Sequence, residues 1–248
     1  MDIPFDLSIA QSAYLAVALV AAAIIRGLSG FGFSAFFLLL AALITDPLPL
    51  IPVVFSCEIA MTAFQARGIR AHIDWARALR LLGGSAVAIF PAVYVMARLD
   101  VDMTRLVISG LILGLGGLLI SGWRLERRVG RLGTLAVGAA AGMANSAGVG
   151  GLVVAAFFSA QPIPPAVFRA TLIVFLTGLD LMSLPVMGSQ GLVGPETLLG
   201  ALIAFPLTGL GVWIGSHGFA RIPAARFRQI VILLMITLSL LNVIRVLT

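Results

Sequence analysis

The distribution of charge along this chain is the feature that most limits how it can fold. Only 10% of its 248 residues are charged, against 60% hydrophobic, and the charges fall in short clusters between long apolar runs. A soluble domain of this length covers its surface with charged side chains, whereas runs as apolar as these prefer hydrocarbon to water. The sequence therefore predicts an all-α polytopic membrane protein in contact with membrane lipids.

Ten apolar runs, bounded by charged residues, Pro or Gly, are expected to form the helices. They lie near residues 9–25, 31–45, 48–66, 78–97, 105–121, 132–144, 149–160, 166–184, 196–216 and 228–247. The sixth and seventh runs reach only about 20 Å each as helices, less than the roughly 30 Å of hydrocarbon in a bilayer. These two runs are expected to form a hairpin whose Gly-rich tip is buried in protein. The first two runs are longer and fit either a similar re-entrant hairpin or two tilted spans.

A weak but ordered internal repeat relates the two halves of the chain. Gly30-Phe31-Gly32 aligns with Gly148-Val149-Gly150, and LLGGSAVAIFP, ending at Pro91, aligns with LLGALIAFP, ending at Pro206. Each half then consists of a Gly-broken helical hairpin followed by three transmembrane helices. The predicted organisation is a first repeat over residues 1–123, a cytoplasmic linker over 124–131 and a second repeat over 132–248.

The arginines predict that the second repeat is inverted relative to the first. Two loops are rich in arginine and are expected in the cytoplasm. These arginines are Arg67, Arg70, Arg77 and Arg80 after the third run, and Arg124, Arg127, Arg128 and Arg131 in the linker. The loop over residues 185–196 has no basic residue. Each half therefore crosses the membrane an odd number of times, which places both termini outside the cytoplasm.

Several functional classes are disfavoured by the composition. The net charge of +6 is carried by arginines at the ends of apolar runs, where membrane orientation explains it, so no nucleic-acid partner is expected. Cys57 is the single cysteine, and His72 and His217 lie in different loops. We therefore expect no metal site and no cofactor. The sequence also lacks the GxxxxGK[ST] motif of ATP-hydrolysing proteins.

The two Gly-rich tips are the candidate substrate site. If the hairpins are re-entrant, the helix after each tip begins inside the membrane, and its free N–H groups and positive dipole end face the site. This arrangement is suited to an anion, and glycine lets a ligand approach the backbone closely. A coupling cation at the opposite helix ends is a further alternative. The candidate substrate-binding residues here are Ser29, Gly30, Gly32, Ser34, Asn145, Ser146, Gly148, Gly150 and Gly151.

Four charged residues in or beside apolar runs are also considered. Arg26, next to the first tip, is able to form paired hydrogen bonds with a carboxylate or sulfo group, although it would also fit an ordinary cytoplasmic anchor. Glu58 lies near the middle of its run, where an ionised carboxylate must be protonated or paired with an arginine, and either state fits proton coupling. The alternative is a permanently neutral, structural Glu58. Arg169 is a candidate substrate ligand or a headgroup anchor, and Asp180 is similarly ambiguous.

Two pairs of glycines have the small-xxx-small spacing of closely packed helices. They are Gly110 with Gly114 and Gly211 with Gly215. This spacing predicts that both pairs lie where two helix backbones approach each other.

Three segments of the chain resemble the TauE/SafE family of sulfite-exporter-like bacterial permeases. They are GLSGFGFS after the first run, GMANSAGVGGLVVAAFF opening the second half, and ARFRQIVILLMITLSLLNVI near the end. The resemblance covers essentially the whole chain. It implies a small bacterial inner-membrane carrier of two related halves and a substrate such as sulfite, sulfoacetate or another organosulfonate. In such a membrane the termini that the arginines place outside the cytoplasm are expected in the periplasm. It supports Gly30, Gly32, Gly148, Gly150 and Gly151 as site-forming residues.

Together these observations predict a secondary transporter of a small anion, driven by the proton gradient, for which a homodimer is one assembly that fits. A passive anion channel would share the inverted halves. An intramembrane enzyme acting on a lipid would need a convergent set of acid, base and nucleophile. Only Glu58, Asp180 and two loop histidines are available for that set, so no enzymatic activity is expected.

Overall fold

A computed structural model describes residues 4–65, 69–125, 129–218 and 224–248, without the side chains of residues 29, 64, 65, 217, 218 and 224–228. Its ten α-helices follow the ten predicted apolar runs, and the described residues contain no strand. The helices are α1 (Ile9–Ser29), α2 (Phe33–Ala42), α3 (Ile51–Gln65), α4 (Trp75–Met96), α5 (Val101–Ile120), α6 (Arg131–Asn145), α7 (Gly150–Ser159), α8 (Pro165–Ser189), α9 (Pro195–Gly218) and α10 (Ala224–Leu247). The all-α prediction is confirmed.

Six of these helices, α1, α4, α5, α8, α9 and α10, are long and apolar enough to cross a membrane. Helices α2, α3 and α7 are also apolar but shorter. Large hydrophobic side chains on the long helices point outward, including Val87 on α4 and Leu202 on α9. An apolar exterior of this kind is stable only in a lipid environment. The chain is a multi-pass membrane protein.

Polar side chains fix where three of the long helices begin. Ser8 and Gln11 form a reciprocal capping box at the start of α1. Asp74 accepts a hydrogen bond from the backbone N–H of Arg77 at the start of α4, and Asp100 caps α5 in the same way. Each carboxylate satisfies a free N–H group and faces the positive end of the helix dipole. The capping residues lie at the ends of the preceding loops, so each cap fixes the residue at which its helix begins.

Hydrogen bonds between loops define two opposite faces of the molecule. Three bonds group one set of loops with the N-terminal segment: Phe5 N to Glu196 Oε2, Arg98 Nη1 to Gln190 Oε1, and Arg105 Nη2 to Thr45 O. Three others group the linker with the α3–α4 and α7–α8 loops: Asp74 N to Thr171 Oγ1, Leu125 N to Ala160 O, and Val129 N to Gln161 Oε1. We call these the N-terminal face and the linker face. Helix α4 connects them, and its 22 residues rise about 33 Å.

The two hairpins open from opposite faces. Gln11 at the start of α1 donates to Ile44 O just after α2, so both ends of the first hairpin lie on the N-terminal face. Val129, before α6, is bonded to Gln161, after α7, so both ends of the second hairpin lie on the linker face. The Gly-rich bends, residues 30–32 and 146–149, lie between the faces and are largely buried in protein.

The contacts between helices follow a pattern that relates the two halves of the chain. Helix α1 packs along α9 and α6 packs along α4, while α3 contacts α9 and α8 contacts α4. Helices α3 and α8 pack on each other, as do α5 and α10. Each of these contacts has a counterpart when α1–α5 are exchanged with α6–α10. Helices from both halves of the chain thus pack into one common core.

Two glycines of α9 allow a close crossing of α1 and α9. At the α1–α9 crossing, a Cβ on Gly211 would lie 2.7 Å from the carbonyl oxygen of Val20, and Gly215 is packed just as tightly against Ile24. The packing prediction for Gly211 and Gly215 is confirmed. The prediction for Gly110 and Gly114 is wrong, because no atom of the described structure lies within 4 Å of a Cβ built on either residue.

Candidate functional site

A buried ion pair joins α1 to α3. Arg26, in the last turn of α1, places Nη1 2.6 Å from Oε1 of Glu58 in the middle of α3. The two side chains are 0% and 4% exposed. The pairing agrees with one of the two states expected for Glu58. It also rules out the interpretation of Arg26 as an exposed cytoplasmic anchor, because no part of its guanidinium reaches solvent or headgroups.

A third charge, Asp180 of α8, lies beside this pair. It is 0% exposed, lies next to Glu58, and has Arg26 and Asn145 within electrostatic reach. We call Arg26, Glu58 and Asp180 the buried charge cluster. The sequence contained one signal for Asp180, a carboxylate inside an apolar run, and that signal alone did not distinguish it from a structural residue.

The cluster contains unused hydrogen-bonding capacity. Within the described structure, Nε and Nη2 of Arg26 have no partner, and neither do the two carboxylate oxygens of Asp180. Nε and Nη2 form the side edge of a guanidinium, which makes two parallel hydrogen bonds to one carboxylate or other oxyanion. Buried polar groups are normally satisfied, because leaving one unpaired is unfavourable. The free edge of Arg26 is therefore a candidate position for a bound anion.

The second bend is attached to α8 close to Asp180. Asn145, the last residue of α6, donates from Nδ2 to Oγ of Ser183 at 2.9 Å, and Ser183 in turn donates to Leu179 O. This chain of hydrogen bonds fixes the end of α6 against α8. Ser183 was not predicted from the sequence, since serine in an apolar helix commonly bonds to its own backbone.

Three glycines in the bends have a backbone conformation that other residues rarely adopt. Gly30, Gly32 and Gly148 have φ of 82°, 89° and 72°, in the left-handed region that favours glycine. Neither α2 nor α7 has a side-chain N-cap, so the first N–H groups of both helices lack that partner. These are the backbone donors that an anion would use.

The two bends do not meet at one level. A Cβ on Gly30 would lie 3.6 Å from Cγ of Arg169, whereas Asn145 contacts Ser183. Arg169 and Ser183 are separated by roughly 20 Å of rise along α8, with Asp180 between them. Gly30 and Asn145 therefore contact different turns of α8, on either side of Asp180.

The remaining candidates from the sequence are used for packing or lie near the surface. Oγ of Ser146 donates to Met143 O of its own helix, and Ser34 is buried in the first turn of α2. Gly150 packs against the α6 backbone and Gly151 against Leu176. Arg169 is exposed beside the linker face. The side chain of Ser29, the linker residues Arg127 and Arg128, and Arg67 fall outside the described part of the chain.

Replacing Gly148 with Ala is expected to destabilise the protein by about 2 kcal/mol or more. The added methyl would be strained by the positive φ and would also meet Leu38, with Ile51 next to it. Gly191 is the matched control, because it has φ of 76° but nothing within 4 Å of its Cβ position. Thermal unfolding should show a clearly larger loss for Gly148→Ala than for Gly191→Ala. Equal losses would mean that the second bend is not tightly packed.

The arrangement of metal-ligating side chains determines whether the described residues can hold a metal ion. Across the described residues, no group of three or more His, Cys, Asp or Glu side chains is arranged to hold a metal ion. Cys57 is buried and unbonded to another cysteine. The buried charge cluster combines a cation that has free donors with two carboxylates.

Comparison with family models assigns the chain to a family. The family model described as "Sulfite exporter TauE/SafE" matches residues 14–241, nearly the whole chain. Searches among curated proteins and among solved structures each returned no match. The matched region includes all ten helices in whole or in large part, both Gly-rich bends and the complete buried charge cluster. The chain belongs to the sulfite exporter TauE/SafE family.

Proposed function

We propose that this protein is a proton-coupled secondary transporter of a small oxyanion, either sulfite or an organosulfonate such as sulfoacetate, in the bacterial inner membrane. The observation that carries the proposal is the free Nε and Nη2 edge of Arg26, fully buried between helices of both halves. A guanidinium is permanently charged and matches two oxygens of a sulfonate, sulfite or carboxylate. The family membership favours a sulfur oxyanion among these.

The helix N-termini at the two bends supply positive potential that an anion in the buried charge cluster would need. Arg26 is already paired with Glu58, so an anion on its free edge adds a negative charge to the cluster. The uncapped N-terminus of α2 lies close to Arg26 along the chain, and the N-terminus of α7 follows Asn145. The positive end of the α2 dipole offsets part of the negative charge near Arg26, and that of α7 offsets part of it near Asp180. Gly30 and Gly148, the left-handed bends, place these ends inside the protein.

We further propose that the two halves form an inverted repeat that gives the site alternating access. Hairpins that open from opposite faces and helices that pack in exchanged pairs support this relation. Orientation follows from charge: Arg70, Arg77, Arg124 and Arg131 lie at the linker face, which we assign to the cytoplasm. The N-terminal face, with both termini, then faces the periplasm.

Proton coupling is supported by the composition of the cluster. One arginine neutralises only one of the two carboxylates, Glu58 and Asp180, and a substrate anion adds a further negative charge. An unbalanced charge in a buried site is strongly unfavourable. A proton that binds with the anion offsets one of these negative charges, and its release with the anion on the other side couples the two fluxes.

The function is tested by the effect of anions on thermal stability. A ligand that binds only the folded state raises the apparent unfolding temperature. We expect purified protein to be stabilised by sulfite or sulfoacetate more than by acetate or lactate, and more than by the zwitterion taurine. The absence of any shift with the sulfur oxyanions would contradict the proposal. A passive channel would also bind the anion, but it would not accumulate it against a gradient.

Replacing Arg169 with Gln is expected to weaken anion binding about threefold to tenfold while leaving stability nearly unchanged. Arg169 is exposed, and its stem lies against Gly30 at the first bend, so its charge adds to the positive potential near the site. Arg131, exposed on the same face at the start of α6, is the matched control. The dissociation constants of both variants, measured at low and high salt, check this role. Equal effects of Arg169→Gln and Arg131→Gln would assign Arg169 to the headgroup region.

A further inference from the structure

We propose that Asp180 carries the coupling proton and that Glu58 is the fixed partner that positions Arg26. This inference rests on the proposed function and assigns separate roles to the two carboxylates of the cluster. From the sequence, Glu58 was the proton-coupling candidate and Asp180 was left unassigned. The structure separates them by their bonding, because one has a charged partner and the other does not.

Glu58 has the contacts of a positioning residue. Its Oε1 accepts a hydrogen bond from Nη1 of Arg26 at 2.6 Å, and both side chains are buried. This bond orients the guanidinium so that Nε and Nη2 remain open. Protonating Glu58 would weaken the bond that holds Arg26, so a proton there works against anion binding.

Asp180 has the contacts of a proton carrier. It is completely buried beside the Glu58 carboxyl and the Asn145 amide, and neither of its oxygens has a hydrogen bond of good geometry in the described structure. A carboxylate in this position is stable when it is protonated or when it takes up a cationic partner. Arg26 is the cationic group within electrostatic reach of Asp180.

The other groups on the helices around Asp180 do not replace Arg26. Helix α3 contributes Glu58 and Cys57, and α6 contributes the neutral Asn145, with its charged Arg131 at the far end. On α4 the charged residues lie in its first two turns. They are Arg77, which pairs with Asp74 and the ring of Phe158, and Arg80. The remaining titratable side chain of α4 is Tyr94, near its other end, and α7 has no titratable residue. Arg70 and His72, in a short turn that packs on α8, lie at the linker face, as does Arg169 of α8 itself.

Competition for Arg26 then couples the proton to the anion. When Asp180 is ionised, its carboxylate attracts the free edge of Arg26 and repels a substrate anion. When an oxygen of Asp180 takes a proton from water at one face, an O–H bond forms and the edge is left to the substrate. At the other face that O–H bond breaks, the proton returns to water, and the carboxylate displaces the anion. Proton binding and anion binding therefore strengthen each other by the same factor.

The inference is tested by measuring sulfoacetate binding to the purified, full-length protein as a function of pH. Sulfoacetate is the probe because its own charge is constant between about pH 5.5 and about pH 8. We expect the wild-type affinity to fall about tenfold per pH unit once Asp180 is ionised. Asp180→Asn should bind with an affinity that does not change with pH. Glu58→Gln should bind more weakly at every pH but keep the wild-type pH dependence.

Each result that differs from these expectations would contradict a different part of the proposal. A wild-type pH dependence in Asp180→Asn would overturn the role of Asp180, and its loss in Glu58→Gln instead would return that role to Glu58. Failure of the wild type to bind any sulfur oxyanion at any pH would remove the proposed function itself. Thermal unfolding of both variants separates misfolding from lost binding.

Transport provides a second readout that does not depend on affinity. In proteoliposomes, Asp180→Asn should exchange labelled sulfoacetate for unlabelled sulfoacetate but should not accumulate it when a pH gradient is imposed. Replacing sodium with choline should leave wild-type accumulation unchanged. Accumulation driven by a sodium gradient would contradict the assignment of a proton to this carboxylate.

Discussion

Replacing Arg26 with Met is expected to abolish anion binding and to destabilise the protein by about 3–5 kcal/mol. Met fills a similar volume but supplies no donors, so the free edge that we assign to the substrate disappears. The loss of stability arises because Glu58, 4% exposed, is left without its partner. Calorimetric titration with sulfoacetate measures the first effect, and thermal unfolding measures the second.

The double variant Arg26→Met with Glu58→Gln separates these two effects. Removing both charges restores a neutral interior, so most of the lost stability should return. Binding should remain absent, since the two neutral replacement side chains supply no positive charge. If the double variant bound sulfoacetate as tightly as the wild type, the anion site would have to lie away from the buried charge cluster.

Replacing Gly138 with Val is expected to destabilise the protein by about 3 kcal/mol or more, the second large effect. Gly138 of α6 faces the backbone carbonyl of Leu81 in α4 so closely that a Cβ has no room. A backbone cannot move aside as a flexible side chain does, so the two helices would have to separate. Thermal unfolding and the fraction of monodisperse protein after extraction measure the effect.

Gly110→Val is the matched control for that substitution. Gly110 is also a helical glycine, but nothing in the described structure lies within 4 Å of its Cβ position. Its replacement should change stability by less than about 1 kcal/mol. Similar losses in both variants would mean that helix propensity, and not the α4–α6 crossing, determines the outcome.

The helices and bends of this fold could be predicted from the sequence because their causes are local. Apolar runs bounded by charge define the ten helices, and a reversal at Gly30 or Gly148 requires φ values that only glycine adopts readily. The two loops that the arginines grouped together also lie on one face. Asp74 of the α3–α4 loop bonds to Thr171 near the start of α8, and the linker bonds to the α7–α8 loop that precedes it.

The arrangement of the site could not be predicted in the same way, because it depends on helix packing. The spacing of Gly110 and Gly114 is the same as that of Gly211 and Gly215, yet only the second pair faces another helix. Asp180 joins Arg26 and Glu58 only because α8 packs on α3 beside the end of α1. Sequence spacing does not specify which face of a helix is covered or at what level two helices meet.

The most direct test of the central claim is the accumulation of labelled sulfoacetate in proteoliposomes under an imposed pH gradient. The account predicts that the wild type concentrates the anion inside when the outside is acidic, and that Arg26→Met with Glu58→Gln does not. Accumulation by the double variant at the wild-type rate, or wild-type uptake that never exceeds the outside concentration, would contradict it.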